Sequence, residues 1–579
     1  MQKQKTLSEK GISAQALNKQ KKTENSFLTS DHNLSHVSNK ESGGFLAKTF
    51  TFKISSATIC LLIIVLFALG LRLLYFNTNM TLTSANYALE GYHLKEGIYD
   101  PAQIWFPATV RYVLVLLVGL SFSLFGVSKF SLWLPNILFS LGTLIVLYYL
   151  GKRVGNEWVG LCAAFLWAIL PLDIFNATIM EADTGVTFFV TLAMYLYLSF
   201  LQEQKKPMYF SIVGAVIGLG FFTKIFALLF FPIVAIYELF IIKKWEEAEK
   251  RGIYIFLGFL LISAPFIIYQ GTKTGDFLYN YHVEKGNIRS LPLTQHAMYA
   301  VIPPFNDFSI YPKFMFSIMP EKRFHQHDGK DPMLHIYFYL LPFACWFVFV
   351  QRKKEGYFFM LLFLLPFILF ESYQHIQKVQ RYLLMIMVPV VLLISSSLFS
   401  FYIQFIEGKE MRKIAFKFFL CVLFFSFVQI SFLQLGSLNL LTFSEYQGKI
   451  ETDVQEYITD FINVLSPKDV YVTSYILSPA YSFYLNYAVN SSLPFGYHGP
   501  ADYSMYDLRL VGNLTTIHNA YVIIDSRYQY LPEEDPWGYY YEKNATSFKE
   551  EKIIIPKTWT LISSLTVVNQ GVIIIFNVP

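Results

Sequence analysis

Charged residues are scarce in this sequence. Only 15% of the 579 residues are charged, whereas 54% are hydrophobic and 18% are aromatic. A soluble globular chain carries roughly 25% charged residues and about 45–50% apolar ones. A chain of this length with so few charges cannot cover itself with a water-facing surface. The composition therefore excludes a disordered chain, a coiled coil and an ordinary cytosolic enzyme, and it predicts a polytopic membrane protein.

Cysteine is rarer still, with four residues in the whole chain. Each cysteine lies inside a long apolar run, where a thiol behaves as a small buried hydrophobic group. Their spacing builds neither a disulfide framework nor a zinc motif, which excludes thiol chemistry. The four positions are Cys60, Cys162, Cys345 and Cys421.

The first 49 residues differ from the rest of the chain. They are polar, show no apolar periodicity and contain eight lysines against four acidic residues. This composition predicts a disordered tail that stays in the cytoplasm. About fifty polar residues before the first apolar run also argue against a signal peptide.

Residues 50–435 contain the hydrophobic runs that are long enough to cross about 30 Å of hydrocarbon. Eleven of these runs are predicted to span the membrane. They are 54–74, 130–150, 158–176, 184–201, 208–222, 225–242, 252–270, 334–350, 357–372, 382–400 and 414–433. A twelfth run, 110–127, is also apolar, and the distribution of charge decides its assignment.

Lysine and arginine follow every second span if the run 110–127 does not cross the membrane. The basic clusters then all fall on the cytoplasmic side, in agreement with the positive-inside bias. These clusters are 152–153, 205–206, 243–251, 352–354 and 409–417. A crossing at 110–127 would move every one of them outside. This run is therefore predicted to form a helix that lies at the outer membrane face.

Residues 436–579 have the periodicity of a separate α/β domain. About 145 residues are enough to bury a core of their own, and eleven spans from a cytoplasmic start place this domain outside. The alternation of apolar residues supplies the predicted elements. They are a helix over 448–465, strands over 469–474 and 519–525, and a hairpin of 560–568 with 571–578.

Carboxylates on the predicted outer face are the first functional candidates, because ionisable groups held at a membrane boundary cost free energy. Glu181 and Asp183 lie in a short loop between two spans, and Glu90 lies in the long first external loop. Two carboxylates at this spacing can share a divalent cation, or can divide the roles of base and orienting group. The alternative is a solvated loop in which Asp183 stabilises the N-terminus of the following helix.

Basic residues lie on the same predicted face. Lys224 sits in the turn between two apolar runs, Arg381 heads a later span, and Arg289 lies in the large loop between them. Their convergence would form a cradle for a phosphate group. The alternative is that these side chains extend to phospholipid headgroups.

Four segments, in this order along the chain, carry a resemblance to a known family. Residues 105–126 run from Trp-Phe-Pro to Phe-Gly, and residues 218–232 contain Gly-Leu-Gly-Phe-Phe-Thr-Lys before a proline. Residues 280–289 run from Asn-Tyr-His-Val-Glu to Arg, and residues 381–389 from Arg-Tyr-Leu-Leu to Pro. Over roughly residues 54–435 the chain thus resembles the GT-C glycosyltransferases. The nearest resemblance is to the protein O-mannosyltransferases and the lipid A aminoarabinose transferases, which use polyprenyl-phosphate sugars.

The resemblance implies about eleven transmembrane helices, an interfacial helix and an extracytoplasmic C-terminal α/β domain. It implies an inverting hexosyl- or pentosyltransferase of the cell envelope, placed in the bacterial cytoplasmic membrane. Its partners would be a polyprenyl-phosphate-sugar donor, a protein, lipid or glycan acceptor and membrane lipid, with no nucleic acid. The implied catalytic residues are Glu181, Asp183 and Glu90, and the donor-phosphate ligands are Lys224, Arg289, Arg381 and Arg111. An Mg²⁺ or Mn²⁺ ion held by Glu181 and Asp183 is a further expectation.

One departure from the family pattern leaves a second hypothesis open. The family opens its first loop with Asp-Glu a few residues before a tyrosine, whereas residues 81–87 contain no carboxylate. Glu90, one turn beyond Tyr87, is the expected substitute, and Phe106 replaces a basic residue with Arg111 nearby. The alternative is a catalytically degenerate protein that binds or flips lipid-linked sugars. The ionisable groups gather at one membrane boundary instead of the midplane, which favours the enzyme.

Overall fold

A computed structural model gives the structure of the chain. It describes residues 55–76, 82–97, 99, 110–284, 335–350, 356–364, 380–406, 428, 470–473, 520–525, 560–567 and 571–578. The predicted tail 1–49, the predicted helix 448–465, Arg289 and nearly all of the predicted span 414–433 lie outside the described residues.

Helices form most of the described chain. The α-helices are α1 (Ser56–Leu74), α2 (Leu82–Lys95), α3 (Tyr112–Phe125), α4 (Lys129–Val154), α5 (Glu157–Ala168), α6 (Pro171–Ala177), α7 (Ala182–Gln202), α8 (Phe210–Phe221), α9 (Phe230–Tyr237), α10 (Trp245–Thr274), α11 (Tyr279–Glu284), α12 (His335–Val350) and α13 (Leu384–Ile406), and residues 356–364 are also helical. Short 3₁₀ turns cover Pro207–Tyr209, Ile225–Leu229 and Gln380–Leu383, and a π-helical turn covers Glu238–Ile242.

Local sequence signals fix where several of these helices begin. Before α4, the Ser128 hydroxyl accepts from the Ser131 N–H, and the Ser131 hydroxyl accepts from the Ser128 N–H. The side chain of Asn156 accepts from the third N–H after it and caps α5. Pro171 opens α6, where its missing N–H costs no hydrogen bond. Polar caps thus mark the helix boundaries that hydropathy leaves imprecise.

The structure confirms a multi-pass membrane architecture. Among the described residues, six helical segments are long and apolar enough to cross a membrane, or seven if the bent pair α5–α6 counts as one. Each of them coincides with a run predicted from hydropathy. Helix α3 has 14 residues and is about 21 Å long at 1.5 Å per residue, which is too short to span about 30 Å. This length agrees with the interfacial helix predicted over 110–127. The predicted span 208–222 contains α8, which has only 12 residues, so helix length by itself does not distinguish these two runs.

Two predicted spans are irregular in ways that the apolar pattern does not show. The run 158–176 is broken at residues 169–170, where α5 and α6 bend by 61°. The run 225–242 begins as a 3₁₀ turn, continues as α9 and ends as a π-turn. Hydropathy reports burial in lipid but not the hydrogen-bond pattern of the backbone, so both breaks become visible only in the structure.

The helices divide into interior and outward-facing ones. In α13 and α7, 78% and 67% of the apolar stretch of the helix is buried, whereas in α1 and α10 only 28% and 17% is buried. Helices α8 and α10 touch through glycines, because a Cβ at Gly214 would lie 1.8 Å from the Ile255 carbonyl oxygen. A Cβ at Gly258 would likewise lie 1.8 Å from the Ser211 carbonyl oxygen. Small residues of this kind allow close helix packing inside a membrane.

The described strands form a mixed four-stranded sheet. They are β1 (Val470–Thr473), β2 (Ala520–Asp525), β3 (Thr560–Val567) and β4 (Gly571–Val578), in the spatial order β1-β2-β4-β3. Strands β1 and β2 are parallel, and β4 pairs antiparallel with both β2 and β3. The predicted strands and the predicted hairpin are confirmed, including the Val567–Gly571 pair that closes the hairpin.

Candidate functional site

A buried ion pair joins two of the predicted site residues. The Lys224 Nζ donates to Asp183 Oδ1 at 2.6 Å, and the two side chains are only 5% and 6% exposed. Asp183 lies in the first turn of α7, and Lys224 immediately precedes the 3₁₀ turn Ile225–Leu229. Charges taken out of water are tolerated when they are paired. Each of the two residues therefore fixes the position of the other.

Two aromatic rings enclose the ammonium group of this pair. Lys224 Nζ lies 3.8 Å from the ring centroid of Tyr382 and 4.6 Å from that of Phe226. Both distances are within the range of a cation–π interaction. Tyr382 belongs to the 3₁₀ turn Gln380–Leu383, and Arg381 directly precedes it. Arg381 therefore adjoins in sequence the residue whose ring covers Lys224, while Arg289 lies outside the described residues, so the convergence of the three basic residues stays a prediction.

The acidic loop before α7 is held by side chains from two other helices. Asn136 of α4 donates through Nδ2 to the carbonyl oxygens of Ile179 at 2.7 Å and Glu181 at 2.9 Å. Ser84 of α2 accepts from the Met180 N–H at 3.1 Å and donates to its carbonyl oxygen at 3.3 Å. Asn136 and Ser84 are both fully buried. They set the direction in which the chain enters α7 and hence the position of its carboxylates.

The predicted acid Glu181 is part of this buried loop. It is the N-cap residue of α7 and is 2% exposed. A carboxylate at a helix N-terminus is stabilised by the unpaired N–H groups and the helix dipole. The position therefore explains how an acidic residue is tolerated there. Glu181 and Asp183 thus lie at one helix N-terminus, and both are buried and not part of a solvated loop.

Arg111 borders the site at the start of α3. Its guanidinium donates to the hydroxyl of Tyr87 at 2.8 Å, and Tyr87 is buried on α2. The first turn of α3 also meets the Lys224 segment, because the Val113 N–H donates to the Phe222 carbonyl oxygen at 3.4 Å. A Cβ at Gly185 would contact side chains of both segments, at 2.8 Å and 3.3 Å. Helices α2, α3 and α7 and the segment 222–224 thus meet around the Asp183–Lys224 ion pair.

Glu90, the expected substitute for the family's first-loop acid, lies one turn after Tyr87 on α2. Its carboxylate is 3.6 Å from His93 Nδ1. Burial raises the pKa of the Glu90 carboxyl above its usual range, and the hydrogen bond and charge of His93 only partly oppose this shift. Glu90 shares α2 with Ser84, which binds the acidic loop, but its contact among the described residues is with His93 and not with the Asp183–Lys224 pair.

A second buried ion pair was not among the predicted site residues. Arg72 of α1 donates through Nε to Ser140 Oγ at 2.6 Å and through NH2 to Asp173. Ser140 donates to the same Asp173 oxygen at 2.5 Å, and all three residues are fully buried. The pair links α1, α4 and α6 directly before the acidic loop. The sequence did contain a signal, since Arg72 and Asp173 are each a charge inside a predicted span.

A third charged network lies at the other end of α7. Arg251 binds Glu238 through two hydrogen bonds of 2.7 and 2.6 Å, and the Tyr197 hydroxyl donates to Glu238 at 2.7 Å. Arg251 also pairs with Glu247 at 3.1 Å. Tyr197 lies toward the C-terminal end of α7 and Asp183 in its first turn, so this network is separate from the Asp183–Lys224 pair.

The residues at the site do not on their own build a metal centre. Within the described ranges, no three His, Cys, Asp or Glu side chains come together as metal ligands. Glu181 and Asp183 supply two carboxylates, and Lys224 already donates to Asp183. A divalent cation prefers six or more oxygen ligands, so this donor set does not fit a resident ion without further ligands. The expected Mg²⁺ or Mn²⁺ stays a prediction.

Comparison with known proteins supports the resemblance. Residues 112–269, which include Asp183 and Lys224, match the family model for dolichyl-phosphate-mannose-protein mannosyltransferase. ArnT from Cupriavidus metallidurans bound to undecaprenyl phosphate has a similar structure, with a TM-score of 0.61, 11% identity and coverage of 90% of this chain and 98% of that chain. No curated protein matches the sequence.

A more distant likeness involves an oligosaccharyltransferase. The apo enzyme of Archaeoglobus fulgidus has a TM-score of 0.53 at 13% identity, with 82% of this chain and 70% of that chain covered. The complex of this oligosaccharyltransferase, AglB, with an inhibitory peptide and a dolichol-phosphate has a TM-score of 0.50 at 15% identity. The chain therefore has the membrane fold of these enzymes, and its resemblance to the GT-C glycosyltransferases is confirmed.

Proposed function

We propose that this protein is a membrane glycosyltransferase that moves one sugar from a polyprenyl-phosphate donor to an acceptor hydroxyl on the extracytoplasmic face. The observation that carries the proposal is the buried Asp183–Lys224 pair beneath the ring of Tyr382. The pair lies in the segment that matches the mannosyltransferase family model. It also places a cation and a carboxylate side by side, which are the two groups that this transfer needs.

The donor phosphate is recognised by the basic residues around the pair. Lys224 and Arg111 border the convergence of α2, α3 and α7, and Arg381 lies next to the ring that covers Lys224. Cations at this position stabilise the negative charge that develops on the leaving phosphate. The similar structures of ArnT and the archaeal enzyme hold undecaprenyl phosphate and dolichol-phosphate, respectively. This likeness supports a polyprenyl-phosphate donor for the present chain.

The transfer itself requires one base. The acceptor oxygen forms a bond to the anomeric carbon while the bond from that carbon to the phosphate oxygen breaks, which inverts the configuration. The electron pair leaves with the polyprenyl phosphate, and the proton of the acceptor hydroxyl passes to a carboxylate. Asp183, Glu181 and Glu90 are the candidates for this base. A donor phosphate that binds Lys224 competes with Asp183 for the same ammonium, so donor binding makes the carboxylate available as the base.

The acceptor would be a protein, a lipid or a glycan, and the C-terminal domain around the four-stranded sheet would help to hold it. We place both on the extracytoplasmic side, because the charge pattern of the spans puts the N-terminal end of α7 there. A divalent cation at Glu181 and Asp183 is part of the prediction but is not needed for the steps above.

Turnover of a radiolabelled polyprenyl-phosphate sugar by the purified protein tests this proposal. We expect labelled sugar to be released from the donor in the wild type, and this release to be lost in Lys224→Met. The matched control is Lys95→Met, which removes an exposed lysine of α2 that pairs with Glu96. Equal turnover in Lys224→Met and wild type would refute the role of the pair in donor recognition.

The second candidate function is a degenerate protein that binds or flips the lipid-linked sugar. The observation that favours it is that residues 81–87 lack a carboxylate and that Ser84 instead holds the backbone of Met180. Such a protein would bind the donor with the same dependence on Lys224 and show no turnover with any acceptor. Donor binding measured beside turnover therefore separates the two functions.

A further inference from the structure

A groove opens between the end of the span 225–242 and the start of α10. Its volume is about 580 Å³, which is in the range of small-molecule sites. Phe231, Val234 and Ile255 contribute to an apolar wall, whereas Glu246 and Glu249 stand on one face of the first turns of α10. None of the residues that line the groove is a lysine or an arginine. The groove is therefore apolar in depth and acidic at its rim.

Gly252 shows that the space in this groove is not needed for packing within the described chain. It lines the groove from the interior of α10, where glycine is less favourable than alanine. A Cβ at Gly252 would meet nothing within 4 Å, whereas a Cβ at Gly214 or Gly258 would collide with the backbone of a neighbouring helix. The two latter glycines permit helix contact. Gly252 instead borders open space within the described part of the chain.

The inner network fixes the shape of the groove. Glu238 opens the π-turn on one wall, and its carboxylate is held by Arg251 and by Tyr197. Glu238 is 4% exposed and its charge is balanced by Arg251. Glu246 and Glu249 are exposed, and among the described residues neither forms an ion pair. These two carboxylates are therefore the groups that a bound molecule would meet.

The groove lies where two spans leave the bilayer. The segment 225–242 and α10 are both long and apolar enough to cross a membrane, and Lys243 and Lys244 join them. Trp245 is 66% exposed at this junction, which is the position of the aromatic belt at a membrane–water interface. The charge pattern assigns this junction to the cytoplasmic leaflet. Membrane phospholipid is therefore the molecule that the groove faces.

We propose that this groove binds a phospholipid of the cytoplasmic leaflet whose headgroup carries a primary ammonium. One acyl chain lies along the apolar wall. The ammonium donates to Glu246 and Glu249 and approaches the face of Trp245, as a cation does over an aromatic ring. The phosphate lies toward Lys243 and Lys244 at the mouth of the groove. An anionic headgroup without an ammonium could still reach Lys243 and Lys244 but would leave Glu246 and Glu249 without a cationic partner.

The proposal is tested by adding one of three lipids to the purified full-length protein after delipidation in detergent. The lipids are phosphatidylethanolamine, phosphatidylcholine and phosphatidylglycerol. We expect phosphatidylethanolamine alone to raise the thermal midpoint, by about 3 °C, and to remain bound in native mass spectra. Phosphatidylcholine is the close control because its quaternary ammonium cannot donate a hydrogen bond. Equal responses to the three lipids would overturn the proposal.

Variants locate the response in the groove. Gly252→Leu fills the space, and Glu246→Gln with Glu249→Gln removes the acidic rim, so both should abolish the selective shift. Gly70→Leu is the matched control for the first, since a Cβ at Gly70 also meets nothing within 4 Å but Gly70 lies on α1. Glu157→Gln controls for loss of an exposed carboxylate. A selective response that survives in either groove variant would refute the assignment, and the double Gln variant decides it if Gly252→Leu does not fold.

Discussion

The Asp183–Lys224 pair gives the sharpest test, because its effects on folding and on turnover can be separated. Asp183→Asn and Lys224→Met each remove one charge and leave the other buried. At the observed 2.6 Å, Coulomb's law with an effective dielectric constant of about 20 gives an attraction of ~6 kcal/mol. Desolvation of each ion costs several kcal/mol, so the intact pair contributes little net stability.

Removing only one member of the pair is a different matter. It leaves an uncompensated buried charge, which costs about 3–5 kcal/mol. The double variant Asp183→Asn/Lys224→Met leaves no buried charge and should be more stable than either single variant. A double-mutant cycle should therefore give a coupling energy of at least ~2 kcal/mol. Unfolding of the purified protein in detergent measures all four forms.

Turnover of the polyprenyl-phosphate sugar supplies the second readout. We expect Asp183→Asn to lower the rate at least tenfold, or about 1.4 kcal/mol of transition-state stabilisation. The double variant should recover stability but not turnover. A double variant with wild-type turnover would remove the pair from the chemistry, and additive stability losses would refute the buried ion pair. The control is the ion pair of Lys152 and Glu157, whose side chains are about half exposed. Its double-mutant cycle should give a coupling energy of about 0–1 kcal/mol.

Three further predictions follow from the surroundings of the site. Asn136→Ala leaves the carbonyl oxygens that it binds without their donor, so we expect a loss of about 1–3 kcal/mol and a lower turnover, and unchanged turnover would contradict its positioning role. Arg72→Met should lower the thermal midpoint strongly, and adding Asp173→Asn should restore most of it, whereas no restoration would refute the pair. Burial raises the pKa of Glu90, so the folded protein binds this proton more tightly and loses stability as the pH rises through that pKa. The stability of Glu90→Gln relative to wild type should therefore increase as the pH rises above the usual carboxyl range, and a difference that does not change with pH would contradict this.

Ser84 has a structural role in the segment where the family has its first-loop acid. This residue lies in the segment 81–87, where the family has Asp-Glu, and it exchanges two hydrogen bonds with the backbone of Met180. The contact keeps α2 attached to the acidic loop without a carboxylate in that segment. Catalysis would then depend on the acids that remain, Glu181, Asp183 and Glu90. The turnover of Asp183→Asn tests the second of these acids.

The sequence alone was sufficient for the membrane class, for most of the apolar helical runs and for the strands, but not for helix α2, which lies in the predicted first external loop. A run of apolar residues must leave water wherever it lies, so hydropathy located the spans around 54–74 and 382–400 without knowledge of their neighbours. Alternating apolar residues likewise located the hairpin, because the two strands are adjacent in sequence. The charge pattern indicated that 110–127 does not cross, and the length of α3 agrees with this.

The tertiary structure decided which distant residues meet. Asp183 and Lys224 were both candidates, but their pairing depends on how α7 packs beside the turn after α8, which no local pattern encodes. The same is true of Arg72 with Asp173, of the two helices whose side chains hold the acidic loop, and of the groove beside Gly252. Hydropathy is a property of each segment by itself. A buried charge, in contrast, is tolerated only when it is paired, and the packing of other helices decides which residue becomes its partner.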